Sequence, residues 1–305
     1  MRKLLCAALL AGLLSGRSFA MAPDGDAQDN VRGKMMKNAQ IETVQTNGFA
    51  MDYIRFGHGE RTLAILPGLS VESVTKYAPT IAEAYAPLAE FFTVYMLDRR
   101  KELPAAYSVA EMAEDTAAVM RALGLAPISL FGTSQGGMMA MIIAARHPEL
   151  VDRLILGSTN AYMTPERYQI FEKWSRLAKD GDAVGLYQAF GEAIYPRHFY
   201  EQSRETLAAS AKGVTKEELS RFVILTESMK GFDCRDELRN IACPVLAIGS
   251  RDDHVWGAEP TGEIAERLKD HAGFELYMYD GYGHAAYDTA PDYKARLLRF
   301  LRPEK

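Results

Sequence analysis

A serine stands between two glycines in Gly132-Thr133-Ser134-Gln135-Gly136-Gly137, after the apolar stretch Ile128 to Phe131 and before an apolar run that ends at His147-Pro148. A strand turning sharply into a helix needs glycines at 132 and 136, where a Cβ would meet backbone, and Gly137 lets the helix come close to the sheet. Such a turn exposes the hydroxyl near the first free N–H groups of the helix. A serine hydroxyl is a poor nucleophile near neutral pH, so it needs a general base, and the base needs an acid to fix its tautomer. Two later turns offer them in a workable order. Ile248-Gly249-Ser250-Arg251-Asp252-Asp253-His254-Val255 offers Asp252, with Asp253 as its rival. Tyr279-Asp280-Gly281-Tyr282-Gly283-His284 offers His284 as base. The other candidate base, His254, shares the acid's own turn, which points it away from the serine. A developing oxyanion needs donors as well. The N–H of Gln135 is one, and the turn Leu66-Pro67-Gly68-Leu69-Ser70 nominates the N–H of Leu69 as the second.

The elements that must position these groups follow from the apolar pattern. Ile41 to Thr46 and Met51 to Phe56 alternate around Asn47-Gly48, which predicts an antiparallel hairpin. Thr62 to Leu66, Thr93 to Leu97, Ile128 to Phe131, Arg153 to Leu156, Val245 to Ile248 and Glu275 to Tyr279 are short apolar runs that suit strands covered on both faces. Helical periodicity fills the gaps at Val74 to Glu90, Val109 to Leu123, Met138 to Arg146, Glu259 to Leu268 and Tyr293 to Leu301. Ser108 with Glu111 predicts a capping box, and Gly124 a helix end. The fold class expected is α/β: a mostly parallel eight-stranded sheet with helices on both faces, whose ligand chemistry sits at the strands' C-terminal ends. The alternation breaks over 160–233, where helical patterns follow one another and aromatic residues such as Phe171, Trp174 and Phe190 recur. This segment reads as a helical cap inserted between core segments 41–159 and 234–305. Its aromatic residues are expected mostly to pack the cap helices together and in part to line a pocket for a small, largely apolar substrate.

Composition narrows the function further. A chain of 305 residues, 48% hydrophobic, can bury a large core, and a formal net charge of -5 without a long Lys/Arg run argues against nucleic-acid partners. Arg2 and Lys3, the apolar run Leu4 to Leu14 and Ser18-Phe19-Ala20 compose a leader over 1–20, too short in its apolar part for a stable membrane anchor. Export to the periplasm or beyond follows if that leader is used; a start at Met36 would leave the protein in the cytoplasm. Residues 21–40 read as a disordered spacer. Cys234 and Cys243 are expected to be buried thiols, and the scattered histidines support no metal site.

Taken together, Gly132 to Gly137, Leu66-Pro67-Gly68, Asp98-Arg99 after the fourth strand, Ile241-Ala242-Cys243-Pro244-Val245, Gly249 to Asp252 and Gly283-His284 resemble the α/β-hydrolase superfamily, in the capped group of small esterases and proline iminopeptidase-like and haloperoxidase-like enzymes. The resemblance spans Ile41 to Leu301. It implies a triad of Ser134, Asp252 and His284, an ester-cleaving reaction through an acyl-enzyme, and no metal or organic cofactor. Amidase, lactonase, acyltransferase or perhydrolase chemistry would use the same triad, and a ligand-binding protein on the same scaffold is the reading from another class. Two departures stand out. Members usually carry His-Gly where this chain has Pro67-Gly68, which removes a side chain that braces the oxyanion turn. Arg100-Lys101-Glu102 replaces the usual small residues after Asp98-Arg99, so these charges either meet an acidic substrate or form a solvated loop.

Overall fold

The computed structural model describes residues 39–302 except residue 47. The chain runs through β1 (Gln40–Gln45), β2 (Ala50–Gly57), β3 (Arg61–Leu66), α1 (Ala78–Ala84), α2 (Ala86–Ala89), β4 (Phe92–Arg100), α3 (Val109–Ala122), β5 (Ile128–Thr133), α4 (Gln135–Arg146) and β6 (Val151–Gly157). Four helices follow, α5 (Pro165–Lys179), α6 (Ala183–Ile194), α7 (Arg197–Ser210) and α8 (Lys216–Glu227). The chain then returns through β7 (Val245–Ser250), α9 (Glu259–Leu268), β8 (Phe274–Tyr279), α10 (Ala286–Thr289) and α11 (Tyr293–Leu301).

All eight strands form one sheet in the order β1-β2-β4-β3-β5-β6-β7-β8. The β1/β2 and β2/β4 pairs are antiparallel and the remainder parallel, as the sequence predicts. Strands β5 and β7 are buried at every position, which is why they read as unbroken apolar runs. One apolar core, with Met112, Met138 and Ile142, packs α3 and α4 on one face; another, with Ile81, Leu88 and Leu297, packs α1, α2 and α11 on the other. The chain leaves β3 for β4 on one side and returns to β5 on the other, so the direction of winding reverses between β3 and β5. A crevice opens at such a reversal. There Leu66, the last residue of β3, pairs with Gly132.

Local signals hold with three exceptions. Strand β8, expected to be covered on both faces, lies at the sheet edge with Glu275 and Leu276 exposed. Ser108 and Glu111 form the expected reciprocal cap, at 2.7 Å and 3.2 Å, and Gly124 adopts φ +68 beyond the helix. The helix expected over 74–90 is broken into a 3₁₀ turn at Val74–Tyr77 followed by α1 and α2, because Pro79 and Pro87 each open a new helix. A proline ring inside one continuous helix would collide with the carbonyl four residues earlier. Strand β4 also runs on to Arg100, so Asp98 and Arg99 belong to the strand rather than the turn after it.

Residues between β6 and β7 fold into α5 to α8. Their neck is closed by Met163 N to Phe232 O at 2.7 Å and Cys234 N to Ala161 O at 2.9 Å. Phe171 sits at the centre of the aromatic packing, 5.0 Å from the ring of Trp174 and 4.9 Å from that of Trp256, which lies in the turn after β7. It therefore joins the insertion to the core. Cys234 and Cys243 are free; Cys234 is buried as expected, whereas Cys243 is only half-buried, and burial pushes their thiols up to about 12 and about 11. The leader, most of the spacer and Met36 lie outside the described residues, and Gln40 of the expected spacer already belongs to β1. No helix among the described residues is long and apolar enough to cross a membrane. Replacing Phe171, which is 1% exposed, by alanine is expected to lower the free energy of unfolding by about 3–5 kcal/mol in a urea titration.

Candidate functional site

Ser134 lies between β5 and α4 with φ 50 and ψ −121, a conformation that a side chain makes costly. Its surroundings impose that turn. A Cβ on Gly136 would lie 2.1 Å from Leu66 O, and one on Gly132 would lie 2.4 Å from Gly136 O. Only glycine lets the first turn of α4 rest on the end of β3. Gly137 clears Thr159 rather than the sheet itself: a Cβ there would lie 2.6 Å from the Thr159 side chain. Thr159 Oγ1 in turn donates to Ser134 O at 2.7 Å, and Ser134 N donates to Gly157 O at 2.9 Å. The serine is thus fixed from β3 and from β6.

The turn after β3 runs directly over this residue. A Cβ on Gly68 would lie 3.1 Å from Ser134 Cβ and 3.7 Å from Ser134 Oγ. The N–H groups of Leu69 and Gln135, named above as oxyanion donors, have no acceptor among the described residues.

The structure corrects the choice of acid. Asp253, not Asp252, faces the histidine: His284 Nδ1 lies 2.8 Å from Asp253 Oδ2, with both side chains 3% exposed. A carboxylate only accepts, so Nδ1 carries the proton and Nε2 is the nitrogen left free for chemistry. The other oxygen of Asp253 accepts from Val255 N at 2.8 Å and Trp256 N at 3.0 Å. Asp252 turns the opposite way. Its oxygens accept from Ser250 Oγ at 2.7 Å, Gly281 N at 2.9 Å and Gly283 N at 3.1 Å, which fastens the turn carrying His284 to the end of β7. Burial alone would raise the Asp252 pKa, but these hydrogen bonds together hold its carboxyl below the usual carboxylate range. Adjacent residues diverge in such a turn, and apart from its place in the turn nothing in their types separates the two aspartates.

Trp256, which the sequence did not single out, joins these parts. Its indole N–H donates to Ser158 O at 2.9 Å and its ring lies 6.0 Å from that of His284. Ser158, just past β6, is the other non-glycine residue with positive φ among the described residues, at 43. The ends of β5, β6, β7 and β8 are therefore stitched side by side. His284 is also held from the insertion, since Ala285 N donates to Ile194 O at 2.9 Å. His254 is exposed and lines a separate cavity of about 1070 Å³ with Trp174, Glu192 and Arg204, on which neither Ser134 nor His284 borders.

Arg99 was legible only as part of a resemblance. It is 3% exposed, and its Nη2 donates to Pro67 O at 2.9 Å and Gln135 Oε1 at 3.1 Å. Burial pushes its pKa down to about 10 even with Asp98 beside it. The neighbouring charges are engaged within the fold: Arg100 Nη2 donates to Asp115 at 2.7 Å, and Lys101 pairs with Asp52 at 3.0 Å. Among the described residues no group of three or more His, Cys, Asp or Glu side chains is placed to hold a metal ion.

A family model described as alpha/beta hydrolase fold matches residues 49–291. The chain belongs to the α/β-hydrolase family. Its curated relatives include a putative carbamate hydrolase, RutD, of Agrobacterium fabrum, 28% identical over 71% of this chain and 85% of the relative. The serine hydrolase BPHL of Mus musculus is 28% identical over 69% of each chain. Among solved structures, an α/β-hydrolase enzyme from a deep-sea metagenome library superposes with a TM-score of 0.76 at 21% identity, covering 87% of this chain and 98% of its own. The enol-lactonase of Burkholderia xenovorans does so with a TM-score of 0.72 at 21% identity, covering 85% and 99%. These two structures share the fold of this α/β-hydrolase.

Two substitutions separate the aspartates. Asp253→Asn is expected to lower kcat by about 10³–10⁴ on any substrate the enzyme turns over, because it leaves His284 in the wrong tautomer. Asp252→Asn is expected to cost less than about tenfold in kcat and to act on stability instead. Its carboxyl has a lowered folded-state pKa, so its stabilisation is present at neutral pH and is lost as pH falls through that value, below about 4. The gap in melting temperature between the wild type and Asp252→Asn should accordingly be widest near pH 7 and close below pH 4.

Proposed function

We propose that this α/β-hydrolase cleaves a carboxylic ester or closely related acyl bond of a small, largely apolar substrate through an acyl-enzyme on Ser134. The observation that carries the reading is the buried His284–Asp253 pair, set on the same strand-end rim as a serine held in a strained turn. His284 Nε2 takes the proton as Ser134 Oγ attacks the carbonyl carbon, and Asp253 supports the imidazolium that forms. The N–H groups of Leu69 and Gln135 receive the developing oxyanion. The protonated imidazole then gives its proton to the leaving group, and water enters by the same route in reverse to free the acid.

A carbamate is the second substrate class, favoured by the similarity to a carbamate hydrolase over most of that relative's length. The same atoms would act: Ser134 attacks the carbamoyl carbon, and the intermediate is a carbamoyl-enzyme. Neither substrate requires a metal or an organic cofactor in these steps.

The test is a panel of p-nitrophenyl esters, aryl carbamates and lactones with intact-protein mass spectrometry under rapid quench. The expected result is turnover of at least one acyl class, a mass gain on Ser134 equal to the acyl group, and loss of both in Ser134→Ala. Turnover that survives in Ser134→Ala contradicts the reading.

A further inference from the structure

We infer that Arg99 is a positioning residue for the proposed oxyanion site: one buried guanidinium nitrogen holds together the two chain segments that carry the Leu69 and Gln135 N–H groups. The inference rests on the acyl-hydrolase reading of Ser134.

The segment from Pro67 to Leu69 has little of its own to fix it. Pro67 lacks an N–H, Gly68 has no Cβ to restrict its dihedrals, and the Leu69 N–H has no protein acceptor. Rotation of the Pro67–Gly68 peptide would change where the Leu69 N–H points. The carbonyl of that peptide is the group Arg99 Nη2 grips, at 2.9 Å. The same nitrogen reaches Gln135 Oε1 at 3.1 Å, and Gln135 carries the second N–H. The Gln135 amide completes the frame from the other side: Nε2 donates to Leu225 O at 2.6 Å and to Ser228 Oγ at 3.1 Å, both at the end of α8. Arg99 is itself fixed by β4 and by burial. Asp98 beside it is paired with Arg221 of α8 at 2.7 Å. A buried guanidinium is costly unless its donors are used; here Nη2 is spent on a carbonyl and an amide that border the site, while the buried Nε has no hydrogen-bond partner among the described residues. Donors that stabilise charge only in the transition state act on kcat, provided they are already in place.

The test compares wild type, Arg99→Met and Gln135→Met on one ester or carbamate that the wild type turns over. It measures kcat, KM, melting temperature, the number of serines titrated by a fluorophosphonate, and inhibition by phenylboronic acid, whose serine adduct places an oxygen in the oxyanion site. Expected for Arg99→Met is a fall of about 10² in kcat per titrated serine, KM within about threefold, boronate affinity weakened in parallel with kcat, and partial recovery when free guanidinium is added. Unchanged kcat per titrated serine, with only a lower melting temperature or fewer titrated sites, assigns Arg99 a structural role and overturns the inference. Should Arg99→Met fail to fold, Gln135→Met leaves the Asp98–Arg221 pair intact and decides alone: kcat lowered about tenfold at unchanged KM supports the frame, and unchanged kcat overturns it. Turnover that persists in Ser134→Ala removes the acyl-hydrolase reading, and this inference with it. A normal Ser134 dependence with an undiminished Arg99→Met removes this inference alone.

Discussion

The hydrogen bond from His284 Nδ1 to Asp253 Oδ2 is shielded from water on both sides, and the site depends on it. The imidazole can carry its proton on either nitrogen until a neighbour chooses one; the carboxylate chooses Nδ1, and leaves Nε2 as the free nitrogen. The bond exists because β7 and β8 are adjacent parallel strands, paired to their last residues at Ser250 and Tyr279. Asp252 then ties the two following turns together, so consecutive carboxylates do different work, one holding a loop and the other holding a ring. Trp256 extends the arrangement sideways, joining the aspartate's turn to the end of β6 and the histidine to the aromatic packing of the insertion.

The second half of the site comes from the reversal in winding at β3 and β5. The pairing of Leu66 with Gly132 brings the turn after one strand against the elbow after the other, and the close approach of α4 to Leu66 O leaves no room for a side chain at Gly136. The strain at Ser134, of order 1–3 kcal/mol in such conformations, is supported by contacts from β3, β6 and the loop at Thr159. The insertion does more than cover this crevice. Through Tyr187 on Glu72, Arg221 on Asp98 and Leu225 O on Gln135, it is bonded to the loop after β3, to β4 and to the first residue of α4.

Much of this was legible in the sequence because the relevant signals are local. Apolar runs of four or five residues mark the six strands from β3 to β8, Ser108 and Glu111 mark a helix start, and glycines at 132 and 136 mark a turn that tolerates nothing larger. Ser134 and His284 stand out as candidates for the same reason: each sits among glycines in a turn that follows a strand. The failures share a cause too. Asp252 and Asp253 differ only in which way a turn directs them, and that is set by hydrogen bonds to Gly281 and Gly283, some thirty residues away. Arg99, Thr159 and Trp256 act through contacts across the sheet, which no spacing within one segment encodes. The helix expected over 74–90 breaks at Pro79 and Pro87 because proline's backbone constraint outweighs the helix preference of the surrounding alanines.

Asp253 alone among the neighbouring acids accepts the hydrogen bond from His284 Nδ1. Proton NMR in water observes that proton directly, as a far-downfield exchangeable resonance of a histidine bonded to a carboxylate. The resonance is expected in the wild type and in Asp252→Asn, and is expected to be lost in Asp253→Asn. Its loss in Asp252→Asn with retention in Asp253→Asn would contradict the arrangement on which the proposed chemistry is built.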